Sequence, residues 1–116
     1  MNIMRPILIL ILTLAFISRA EAHAFLDHAE PKVGSTVAAP ALVEVWMTMD
    51  LMKKTFTTLQ VFDAKGNEVD NKDVKISEAT MTVSVPKLPA GTYVVRWKAL
   101  AVCGHKTSGT FTFTVE

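Results

Sequence analysis

The strongest constraint on this chain is a two-residue rhythm. Thr110-Phe111-Thr112-Phe113-Thr114-Val115 alternates polar and apolar without a break. Successive side chains of an extended backbone point to opposite sides, so such a segment is a strand with one face buried. Phe111, Phe113 and Val115 are the expected core residues. The same period puts Tyr93, Val95, Trp97 and Ala99 on one face of a second strand, with Arg96 and Lys98 on the other. Met81, Val83 and Val85 give a third strand, Leu59 and Val61 part of a fourth, and Val43, Val45 and Met47 a fifth. Pro31-Lys32-Val33-Gly34, Ala64-Lys65-Gly66-Asn67 and Pro86-Lys87-Leu88-Pro89-Ala90-Gly91 carry turn chemistry between these runs. Asp70 to Thr80 is polar apart from Val74 and Ile76 and reads as a short edge strand or loop. About seven short strands with little helical periodicity predict an all-β fold, a Greek-key β-barrel or immunoglobulin-like sandwich. Cys103 is the only cysteine, which excludes an intramolecular disulfide framework and a multi-thiolate zinc site.

The start of the chain follows another logic. Arg5 precedes an apolar run from Ile7 to Ile17, interrupted only by Thr13, and Ala20-Glu21-Ala22 follows. A charged start, a short apolar core and a small-x-small end are the parts of a secretory signal peptide. Spanning a bilayer takes roughly 20 apolar residues, and this run has 11. The expectation is a cleavable signal over residues 1–22 and a domain over 23–116, exported to an oxidising compartment, the periplasm, with no stable membrane anchor after cleavage. The 94 remaining residues hold ten basic and ten acidic side chains. A neutral domain lacks the electrostatic footprint that nucleic acid or an anionic surface requires. It is also too short for the usual cofactor-binding α/β folds. No Ser-His-Asp order, phosphate-cradling glycine loop or His-Glu-x-x-His motif is present, so the sequence offers no hydrolase or phosphoryl-transfer machinery.

Chemistry rests on few residues. Cleavage after Ala22 makes His23 the first residue, and an N-terminal His offers its α-amine and imidazole together as a chelate. Such nitrogen pairs suit Cu(II), and the amine proton is displaced at little cost near neutral pH. His23 as a solvated terminal residue is the alternative. Cys103 and His105 flank Gly104 between two strands, where their side chains can converge or can simply face solvent in a turn. His28 is in opposite phase to His23 and is expected to face away. Met47 continues the core face of Val43 and Val45, while Met49 and Met52 are open to either packing or soft-metal chemistry.

These residues stand in a recognisable order. His23-Ala24-Phe25-Leu26, Pro31 to Val37, Ala39-Pro40, Phe56 to Gly66, Leu88 to Tyr93, Val95-Arg96-Trp97 and the closing block Gly104 to Phe113 together resemble the CopC copper-resistance family. The resemblance implies a Greek-key β-barrel that binds copper for resistance or homeostasis, without being an enzyme. It implies Cu(II) held by His23 and His105 with carboxylate support, and transfer to or from a CopD-type inner-membrane copper transporter; Cu(I) enters only through Cys103, where this chain departs from the family pattern. Counting back from Phe56 puts Asp50 at a family ligand position, whereas counting forward from Pro31 and Pro40 puts Met49 there; a carboxylate balances the ion's charge, which favours Asp50. Cys103 stands where the family's closing motif has Asp, either as a buried small hydrophobe or as a sulfur donor to copper. The metal ligands expected are therefore His23, Asp50, Cys103 and His105. A metal-free β-sandwich interaction module and a small copper-dependent oxidative enzyme are the alternatives.

Overall fold

The computed structural model describes residues 25–116, so the expected signal segment and His23 lie outside the described residues. Within them the alternating segments form β1 (Leu26–Glu30), β2 (Thr36–Val37), β3 (Leu42–Met47), β4 (Thr58–Phe62), β5 (Lys75–Ser77), β6 (Thr80–Ser84), β7 (Gly91–Leu100) and β8 (Lys106–Val115). They make two four-stranded sheets, ordered β1-β3-β6-β5 and β2-β8-β7-β4. All pairings are antiparallel except β2 with β8, which is parallel. The fold is an all-β two-sheet sandwich, as the alternation predicts.

The core is what the rhythm selects. Val43, Val45 and Met47 of β3 and Met81 and Val83 of β6 are buried, as are Leu59 and Val61 of β4 and Tyr93, Val95, Trp97 and Ala99 of β7. Phe111, Phe113 and Val115 of β8 are also buried. Full burial of such side chains stabilises the fold by about 1.5–3 kcal/mol each. Arg96 lies on the outer face of β7, its guanidinium 5.0 Å from the Phe62 ring centre. The Asp70–Thr80 stretch contributes edge strand β5, with Val74 and Ile76 half-buried against the core.

Three local devices fix the frame. Gly109 sits opposite Trp97 in the β7–β8 ladder, and a Cβ there would lie 2.6 Å from the indole Cζ2 and 2.8 Å from Cε2. Only glycine lets the buried indole cross the β8 backbone at this point. Tyr93 donates its hydroxyl hydrogen to the Pro89 carbonyl at 2.6 Å, tying β7 to the loop that precedes it. Asp70, 8% exposed, accepts from the backbone N–H of Val61 at 2.8 Å and of Lys72 at 2.9 Å. A buried carboxylate is tolerated when backbone donors satisfy it.

Candidate metal centre

The connection from β7 to β8 is a tight turn. Gly104 donates to the Ala101 carbonyl at 2.8 Å, and Ala101 donates to the His105 carbonyl at 3.0 Å. Gly104 adopts φ 97°, a conformation that side-chain-bearing residues rarely take. The turn presents the two flanking side chains together, with Cys103 Sγ 3.6 Å from His105 Nδ1. Both residues are exposed.

The segment leaving β3 approaches from the other sheet. Leu51 and Ala101, both buried, form a bridge between the two connections. Val102 donates to the Asp50 carbonyl at 3.1 Å and Met52 to the Leu100 carbonyl at 2.8 Å. The same segment is held from behind by the β5–β6 turn, where Leu51 donates to the Glu78 carbonyl at 2.9 Å. Glu78 is in the left-handed region, at φ 54°, a strain of about 1–2 kcal/mol that the surrounding bonds sustain. These main-chain ties set Met49 beside the turn, its Sδ 4.0 Å from Cys103 Sγ.

The first described residue reaches the same end of the sandwich. Phe25 donates to Thr48 Oγ1 at 2.9 Å, and the Thr48 N–H donates back to the Phe25 carbonyl at 2.8 Å. The chain therefore enters β1 next to the residue that precedes Met49. No signal in the sequence marked this tie, because a Thr beside a Met carries no local pattern.

Of the residues singled out from sequence, Cys103 and His105 come together and Met49 joins them. Asp50 is exposed and engages this region through its main chain. Among the described residues no three His, Cys, Asp or Glu side chains gather into a group able to hold a metal ion; the third donor beside the pair is a thioether. The reading of Cys103 as a buried small hydrophobe is corrected, since it lies beyond Ala101, the last buried position before the β7–β8 turn, and is exposed. His28 is engaged elsewhere: its Nδ1 lies 2.7 Å from Asp27 Oδ2, and its ring stacks on Trp46 at 4.3 Å. Met47 is core, at 5% exposure. Lys106 follows His105, and its ammonium sits 5.1 Å from the Phe56 ring centre.

The CopC domain model matches residues 26–116, the whole of the described sandwich from β1 to the end of the chain. The chain belongs to the CopC family. Among its CopC relatives, copper resistance protein C of Escherichia coli is 32% identical over 106 residues, covering 84% of each protein. The crystal structure of CopC from Methylosinus trichosporium OB3b superposes with a TM-score of 0.74 at 30% identity, covering 81% of this chain and 94% of that one. PcoC, a methionine-rich copper resistance protein from Escherichia coli, superposes with a TM-score of 0.72 at 28% identity, covering 82% of this chain and all of its own. The CopC match includes both connections that form the metal-centre candidate.

Proposed function

We propose that this CopC-family protein is a periplasmic copper carrier in which copper is the cargo, taken up and released without turnover. In this reading cleavage after Ala22 exposes His23, whose α-amine and imidazole bind Cu(II) together with His105. Asp50 and Cys103 stand beside them as further donors. The loaded protein exchanges copper with a CopD-type inner-membrane transporter.

The observation that carries the reading is the tie between Phe25 and Thr48. His23 precedes Phe25 by two residues, and two residues of chain reach at most about 7 Å. The backbone pinned at Phe25 therefore starts beside the Met49–Asp50 segment, which is itself bonded to the turn bearing Cys103 and His105. The donor chemistry agrees: amine and imidazole nitrogens with a carboxylate suit the tetragonal preference of Cu(II).

The test is a Cu(II) titration of the processed protein followed by its melting temperature. One equivalent of bound copper is expected to raise the melting temperature, because a ligand that binds only the native state at 100 times its Kd stabilises it by about 2.7 kcal/mol. His105→Ala should remove most of that rise. A melting temperature indifferent to copper would overturn the carrier reading and leave a metal-free β-sandwich interaction module.

A further inference from the structure

We propose that Cys103, His105 and Met49 form a Cu(I) site, a thiolate–imidazole–thioether triad that shares His105 and Cys103 with the Cu(II) reading but does not use His23. The proposal rests on the copper reading above but not on that reading's ligands at the chain start.

The argument is geometric. Cys103 Sγ lies 3.6 Å from His105 Nδ1 and 4.0 Å from Met49 Sδ. With metal–sulfur bonds of about 2.3 Å and metal–nitrogen bonds of about 2.0 Å, a trigonal centre has S···N edges of about 3.7 Å and S···S edges of about 4.0 Å. The two edges that meet at Cys103 Sγ match those of a three-coordinate ion. The donors are also the right kind, since thiolate and thioether sulfur select Cu(I) and imidazole accepts it.

The backbone supports this preorganisation. Cys103 and His105 are set by the Gly104 turn, and Met49 is set by the ties of Leu51, Asp50 and Met52 to Ala101, Val102 and Leu100. The ladder thus fixes both donor-bearing connections before any ion arrives. Cys103 and His105 are exposed and Met49 is half-buried, which leaves an entry path from solvent. On binding, the thiol proton passes to solvent and the sulfur bonds to the ion as thiolate; copper stays Cu(I) throughout.

The experiment is an anaerobic Cu(I) titration against a chromophoric Cu(I) chelator, bicinchoninate, with X-ray absorption at the copper edge. The wild type should bind one Cu(I) with two sulfur neighbours and one nitrogen neighbour. Loss of an outer-shell partner alone weakens metal sites by about 10–100-fold, so Cys103→Ser should cost at least about 100-fold and Met49→Leu about tenfold. A sample with one extra residue before His23 should bind Cu(I) as tightly as the processed protein. Cu(I) affinity unchanged in Cys103→Ser and Met49→Leu, or lost on the N-terminal extension, overturns the triad. Retained Cu(I) binding with no specific Cu(II) binding would overturn the His23 reading and leave the triad standing. Far-UV circular dichroism confirms that each variant keeps the sandwich.

Discussion

Replacing Gly109 by alanine tests the packing that holds the β7–β8 turn in place. An alanine Cβ at this position would sit 2.6 Å from Trp97 Cζ2, 2.8 Å from Cε2 and 3.0 Å from Nε1. Ordinary contact begins at 3.4 Å, so the indole or the β8 backbone must retreat by about 0.8 Å. Neither moves freely. The obstructing atoms belong to a rigid ring that is only 5% exposed, and Gly109 is locked in the ladder opposite it. Overpacking of this kind costs about 1–3 kcal/mol, and the rigidity of both partners places Gly109→Ala in the upper half, about 2–3 kcal/mol. For a domain of this size each kcal/mol moves the melting temperature by about 4–8 °C, so the variant should melt about 8–24 °C below the wild type. Thermal unfolding followed by circular dichroism reads this directly. Trp97→Phe removes the ring atoms that clash, so the double variant should show a favourable coupling of about 1–2 kcal/mol. A Gly109→Ala variant within about 0.5 kcal/mol of wild type, or additive costs in the double variant, would refute the argument.

Other expectations concern polar groups and pH. Asp70→Ala strips the acceptor from two backbone N–H groups, one of them that of the fully buried Val61, and should cost about 1–3 kcal/mol in denaturant unfolding. Tyr93→Phe leaves the ring packed on Phe113 but removes the bond to Pro89, so a loss of about 0.5–1.5 kcal/mol is expected in the same assay. Asp73 is held below its ordinary 3.8 by the Ser84 hydroxyl and then the Ser84 N–H, and Asp63 by the Asn67 N–H against an opposing effect of burial. A carboxyl depressed in the folded state contributes stability above its unfolded pKa, and that contribution disappears as pH falls through the folded value. Melting temperatures of wild type and Asp73→Asn should therefore differ at pH 7 and converge as pH is lowered below about 4; a constant gap down to pH 2 would contradict the assignment.

The core was legible because its signal is local and binary. Each alternating segment names its own buried face, and Phe111, Phe113 and Val115 or Tyr93, Val95, Trp97 and Ala99 need no partner to be recognised. Thr36–Val37 was not legible as a strand, since two residues carry no period and their pairing is with β8, far along the chain. Asp70 read as the start of a polar loop, yet it is buried because its partner is the Val61 backbone nine residues earlier. At the metal-centre candidate the sequence put Cys103 and His105 on either side of one glycine but left open whether their side chains converge or face solvent; the structure sets them 3.6 Å apart. The sequence favoured Asp50 over Met49 on charge alone, because one residue of register along an irregular segment exchanges which side chain faces the turn. The structure places the Met49 thioether against Cys103 and the Asp50 carbonyl on Val102.

The central claim, that copper is carried at this end of the sandwich by the processed chain start and His105, is tested most directly by electron paramagnetic resonance of the Cu(II)-loaded protein. Two samples are compared, one whose first residue is verified as His23 by mass spectrometry and one with a single residue added before it. The account predicts a nitrogen-rich tetragonal spectrum at one equivalent in the first sample and its loss in the second. The same spectrum from both samples, or only weak unspecific signals from both, would contradict it.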